Sequence, residues 1–182
     1  MKVVLASRSP QRREILARLG IEFEVVQTDV VELSGGDPAV EIPRNALMKA
    51  EEATRPGALV IGCDTDVVID GMALGKPADV GRAREFLGLL SGRTHEVLSG
   101  LAVLGPGEGE ERSGTCASRV TFAEIGADAE RYLASGEWRD RAGGYAIQGL
   151  GSTLVASVEG DISNVIGLPV GLLFELAPEL SS

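Results

Sequence analysis

The stretch that most constrains this chain is 58–77, ALVIGCDTDVVIDGMALGKP. Ala58 to Ile61 is a short apolar run, partly β-branched and bounded by turn signals, which predicts a buried strand. The run meets Gly62-Cys63, read here as the end of the strand, and delivers Asp64, Thr65 and Asp66. Asp70-Gly71 then supplies the pair that a two-residue hairpin turn favours, because both central residues need positive φ. The returning arm, Met72 to Leu74, leads into Gly75-Lys76-Pro77. Such a unit presents carboxylates at a strand end, where α/β sheets commonly hold ligands, and a lysine shortly after. Alternation places Asp64 and Asp66 on one face of a regular strand. Two like charges side by side repel, so the pair suggests open solvent or a divalent cation.

Charge narrows the function classes. A net charge of −10 over 182 residues argues against a duplex nucleic-acid binder or a basic membrane-surface protein. An acidic chain that binds an anion must concentrate its positive charge in one place. Fourteen arginines stand against three lysines. Lys49 and Lys76 are therefore notable, because an ammonium is a compact point charge suited to phosphate and is not equivalent to guanidinium. Cys63 and Cys116 lack C-x-x-C spacing and read as reduced thiols. The apolar run Val3 to Ala6 is too short for a signal peptide, and no stretch approaches the ~20 residues of a membrane span. A cytoplasmic protein without a membrane partner is expected.

The order of elements predicts an α/β fold. Residues 2–6 form a first strand. Ser9 is a fitting N-cap and Pro10 a fitting first position for a helix ending near Gly20, with Ile15, Leu16 and Leu19 as its buried stripe. Arg12 and Arg13 oppose the helix dipole there, at a cost of roughly 0.3–1 kcal/mol each. An anion at this helix start, held by the free N–H groups, the Ser7 or Ser9 hydroxyl and the arginines together, would reverse that cost. Ile21 to Thr28 alternates as a second strand, leading to Asp29 and Glu32 in a loop. Residues 34–38 read as a surface loop, and Pro43 to Ala53 as a helix carrying Lys49. Asp79 caps a helix to about Leu90. The only histidine, His95, falls in a turn before a strand over 97–104 and is expected to be structural, which excludes a His-based zinc site. A Gly/Glu-rich hairpin loop over 105–114 is expected to be functionally silent. A strand over 116–122, a helix over 128–135, a glycine-dense segment and a final helix over 170–176 complete the chain.

Several motifs, in order, carry a resemblance. They are LASRSPQRREIL at 5–16, Glu32, Lys49-Ala50, GCDT at 62–65, GKP at 75–77, LSGRTHEV at 90–97, AGGYAIQG at 142–149 and EGDISNVIGLP at 159–169. Together they make the chain resemble the Maf family of nucleoside triphosphate pyrophosphatases, across nearly its whole length. The resemblance implies one domain over 1–182. Its fold would be an elongated α/β, inosine-triphosphatase-like one, with a mixed twisted sheet, flanking helices and two lobes around a central cleft. It also implies a cytoplasmic enzyme, often a homodimer, that uses a divalent metal to convert a nucleoside triphosphate to monophosphate and pyrophosphate.

By motif match, Asp64 corresponds to the proton acceptor, with Glu32 as acidic partner at the metal. Ser7, Arg12, Lys49 and Lys76 correspond to phosphate-side residues. Positions 11, 65 and 148 match those that sort the family by base. Thr65 and Gln148 agree with the branch acting on dTTP and UTP. Gln11 departs from that branch, which usually carries arginine, and Asp66 stands where the family usually has an apolar residue. Oxygen-only ligands point to magnesium or manganese. Two other readings use the same pocket: a nucleotide-binding regulator of cell division, and a housecleaning pyrophosphatase for a modified purine nucleotide.

Overall fold

The computed structural model describes residues 1–107 and 109–181. Among them, seven strands form one sheet: β1 (Lys2–Ala6), β2 (Glu24–Val26), β3 (Ala58–Ile69), β4 (Met72–Ala73), β5 (Thr94–Leu104), β6 (Glu111–Phe122) and β7 (Val155–Glu159). The order is β2-β1-β3-β5-β6-β7, with β4 paired to the far end of β3. β1 lies parallel to β2 and β3, and the other pairings are antiparallel. The sheet is flanked by α1 (Pro10–Arg18), α2 (Pro38–Glu52), α3 (Val80–Leu90), α4 (Asp128–Ser135), α5 (Ile162–Ile166) and α6 (Val170–Leu176). The expected mixed α/β class holds. Among the described residues no helix is long and apolar enough to cross a membrane.

Three long strands give the molecule two ends. β3, β5 and β6 are 12, 11 and 12 residues long, and each threads more than one region. At one end Leu59, Ile61, Leu101 and Val103 pack with Leu5, Leu16 and Leu173. On the other face of that end Val60 and Ala102 meet Ala46 and Ala50 of α2. At the opposite end Val67, Ile69, Val97, Val120 and Phe122 pack with Leu87, Leu90, Tyr132 and Trp138. Burying each large apolar side chain is worth about 1.5–3 kcal/mol, so each end carries its own core. Between the cores the strands turn polar: Asp64, Thr65 and Asp66 in β3, Ser99 in β5 and Ser118 in β6. Thr65 stands opposite Ser99 in the ladder. Asp64, Thr65 and Asp66 therefore occupy a waist that the hydrophobic cores leave to hydrogen bonding.

The structure corrects several boundaries. β3 does not end at Gly62-Cys63 but continues to Ile69, so Asp64 lies in mid-strand. Gly62 serves helix packing instead, since a Cβ there would strike the Ala46 carbonyl, and one at Gly100 would strike Pro43. α2 begins at Pro38, not Pro43, because Asp37 accepts the Ala39 N–H and Pro38 takes the first turn. The second strand is only Glu24–Val26, the three residues that pair with Val4 to Ala6 of β1. In α1 Leu16 is buried and Leu19 exposed, while Arg12, one turn before Leu16, points inward.

His95 belongs to β5 rather than a turn, because Thr94 and His95 pair with Thr121 and Val120. Its Nε2 lies 2.8 Å from the Tyr145 hydroxyl in the core, and burial lowers its pKa to about 4. The structural reading of His95 stands. The expected loop over 105–114 includes position 108, which lies outside the described residues, and Glu111 onward already belongs to β6. The Asp70-Gly71 turn forms as expected, with φ of 53° and 77°.

Candidate active site

Close approach of α2 to the sheet builds the acidic centre. With no side chain at Gly62 or Gly100, α2 lies against β3 and β5 and aims Asn45 and Lys49 at Asp64. These two residues are one helical turn apart and share a face. The Lys49 Nζ is 2.6 Å from both Asp64 Oδ1 and Glu32 Oε1. Lys49 and Asp64 are 9% and 14% exposed in their side chains, whereas Glu32 is 56% exposed. Asn45 donates to Asp64 Oδ2 at 3.1 Å. It also exchanges hydrogen bonds with the Leu33 backbone at 2.8 and 3.1 Å, which fixes the loop bearing Glu32. Asn45 was not singled out in the sequence. Its one signal is its place four residues before Lys49, inside the expected helix over 43–53, and nothing local names Asp64 or Leu33 as its partners.

A second cluster surrounds Arg12. Ser9 caps α1, its Oγ accepting the Arg12 N–H. The guanidinium then bridges three segments: Nε donates to the Gly167 carbonyl at 2.8 Å, Nη1 to Ser7 Oγ at 3.2 Å and Nη2 to Thr65 Oγ1 at 3.1 Å. Thr65 Oγ1 also lies 2.8 Å from Ser99 Oγ and 3.4 Å from the Gly167 carbonyl. Arg12 is therefore held by protein acceptors, which offsets its unfavourable place at the helix start. Arg13, beside it, is exposed. Ser99 and the Gly167 carbonyl are partners that only the tertiary structure reveals, because they lie far from Arg12 and Thr65 in the chain.

Gln11 and Gln148 line one small cavity of about 180 Å³, together with Ile15, Leu19 and Ile166. Ser9 donates to Gln11 Oε1 at 3.0 Å, leaving the amide nitrogen of Gln11 free to donate. Thr65 does not line this cavity; its hydroxyl is taken up in the Arg12 cluster. Lys76 is exposed on the segment that follows β4. Its neighbour Gly75 donates to Asp66 Oδ1 at 2.9 Å, and Val67 N–H donates to the same oxygen at 2.7 Å. Burial raises the Asp66 pKa to about 6; the two N–H donors work against this rise, while Asp64 and Glu32 add to it.

Among the described residues no set of three or more His, Cys, Asp or Glu side chains could hold a metal unaided. Glu32 and Asp64 nonetheless converge on one point, now filled by the Lys49 ammonium. Two converging carboxylates are the kind of oxygen donors that would suit a magnesium-type ion.

Comparison with known proteins gives the family and the fold. The family model described as Maf-like protein matches residues 2–180. A protein of Moorella thermoacetica named dTTP/UTP pyrophosphatase is 45% identical over 96% of this chain and 93% of its own length. Relatives of the same name from Thermococcus gammatolerans and Syntrophus aciditrophicus are 44% and 41% identical, covering 96% and 100% of this chain and 94% and 91% of theirs. Among solved structures, the Staphylococcus aureus Ham1 protein superposes with a TM-score of 0.51 at 16% identity, over 68% of this chain and 73% of its own, which speaks for the fold alone. Matched by that family model over 2–180 and by relatives at 41–45% identity over nearly its whole length, the chain belongs to the Maf family.

Proposed function

We propose that the waist hydrolyses the α–β phosphate bond of a nucleoside triphosphate, with dTTP and UTP preferred, giving the monophosphate and pyrophosphate. The observation that carries this reading is the convergence of Glu32, Lys49 and Asp64, with Thr65, the next residue of β3, hydrogen-bonded to Arg12 of α1. Relatives at 41–45% identity bear the name dTTP/UTP pyrophosphatase, which supports the substrate class. Phosphoryl transfer needs positioning and charge neutralisation more than covalent chemistry. Asp64, oriented by Lys49 and Asn45, accepts a proton from water as the water oxygen bonds phosphorus. The bridging P–O bond then breaks toward pyrophosphate. Lys49 and Lys76 supply positive charge to the phosphates. The fork of Arg12 fixes the walls around them and keeps two N–H donors for oxygen. Glu32 and Asp64 would hold a magnesium or manganese ion, which would supply further neutralisation of phosphate charge.

Gln11 and Gln148 form the base side of the proposed site. A neutral amide at position 11 can reorient to suit several bases, whereas a fixed cation rejects those lacking an acceptor. A charge-assisted hydrogen bond discriminates by roughly ten- to a hundredfold. Gln11→Arg is therefore expected to raise the preference for dTTP and UTP over CTP and purine triphosphates by about tenfold or more. The test is kcat/KM across a nucleotide panel in both variants, with and without excess chelator. Unchanged ratios would remove position 11 from the base site, and full activity in chelator would remove the metal.

A further inference from the structure

Asp66 is a carboxylate in the waist without a task in the reaction as derived. Its Oδ1 accepts two backbone N–H groups, Val67 at 2.7 Å and Gly75 at 2.9 Å, nine residues further along the chain. Gly75 is also held from its other side, its carbonyl accepting the Gly143 N–H at 2.9 Å. Its φ of 66° turns the chain out of the β3–β4 hairpin, directly before Lys76. The Gly143-Gly144 turn completes the clamp. A Cβ at Gly143 would come 2.7 Å from Val67 Cγ2, and one at Gly144 would lie 3.3 Å from Pro77 Cγ. The backbone on both sides of Lys76 is thus fixed, by a side chain of β3 and by a glycine turn packed on β3, while the lysine side chain stays exposed.

We infer that Asp66 is a positioning residue for Lys76, its carboxylate anchoring the Gly75 amide so that the exposed ammonium is presented to the phosphates from a fixed backbone. The inference rests on the reading of Lys76 as a phosphate-side residue. An anchor of this kind works by accepting a hydrogen bond, which an asparagine carbonyl also does and valine cannot do. Ordering the lysine beforehand lowers the entropy lost when the phosphates engage it.

The experiment compares the parent with Asp66→Asn, Asp66→Val, Lys76→Ala and the Asp66→Val/Lys76→Ala double variant, as full chains. Two readouts are used: kcat/KM for pyrophosphate release from dTTP, and hydrogen exchange of the Gly75 amide without substrate. Asp66→Val is expected to lower kcat/KM about tenfold, while Asp66→Asn stays within about threefold of the parent. In the Lys76→Ala background Asp66→Val should cost nothing further, as for two residues acting as one unit. The Gly75 amide should be protected in the parent and in Asp66→Asn, and at least about tenfold less so in Asp66→Val.

Multiplying losses in the double variant, an Asp66→Asn as impaired as Asp66→Val, or equal Gly75 protection in all variants would each overturn the inference. An unimpaired Lys76→Ala would overturn it as well, because no residue would remain to be positioned. The expected Gly75 protection pattern in a protein that releases no pyrophosphate would uphold the anchor and fail the functional reading, so the two are separable.

Discussion

Asp64→Asn is expected to lower kcat by at least about a hundredfold while KM for dTTP changes only a few-fold. The side chain keeps its size, and its remaining carbonyl can still accept from Lys49 or Asn45, which both reach Asp64 in the folded protein. What is lost is the capacity to take a proton, a function realised only in the transition state. The Lys49–Glu32 ion pair at 2.6 Å survives the change, so the loop bearing Glu32 stays in place. Steady-state kinetics with urea denaturation checks the result. A variant that loses stability and activity in equal measure would make Asp64 a structural residue.

Arg12→Ala is expected to remove at least about a hundredfold of kcat/KM and also to destabilise the fold by about 3 kcal/mol, a combination Asp64→Asn should not show. Arg12 donates at once to Gly167, Ser7 and Thr65, on three segments well separated in sequence. Hydrogen bonds to a charged group are worth about 1.5–3 kcal/mol each, and those sharing one guanidinium do not add fully. Truncation would also leave the Gly167 carbonyl with weaker partners at the bottom of the site. Arg12→Lys should not rescue either property, since a single ammonium cannot reproduce a three-direction planar fork. Urea midpoints and kcat/KM for both variants check this. Parent-like behaviour of Arg12→Lys would contradict it.

What could be read from the sequence was local. Ser9-Pro10, Asp79 and Asp70-Gly71 act on their immediate neighbours, and each forms the cap or turn its chemistry predicts. Local signals misled where a residue answers to a distant partner. Gly62 looked like a strand stop, but it is small because the Ala46 carbonyl of α2 passes over it. Pro43 looked like a helix start, though Asp37-Pro38 had already supplied the cap and first turn. β7 has only five residues and exists because β6 pairs with it. In the site, the carboxylates and lysines were legible because charge in an apolar context is conspicuous. Asn45, Ser99 and the Gly167 carbonyl were not, because nothing in their own neighbourhood records the groups they meet. Arg12 opposes the helix dipole, a conflict that a bound anion would relieve, but in the fold three protein acceptors already hold it.

The central claim is that this waist cleaves between the α- and β-phosphates. Phosphorus NMR of dTTP turnover by the parent protein, with magnesium or manganese present, reads the bond directly. Pyrophosphate and dTMP are expected as the first products in equal amounts, with no dTDP at any time. Orthophosphate and dTDP appearing first would contradict it, and so would tight dTTP binding with no turnover, the behaviour of a nucleotide-binding regulator.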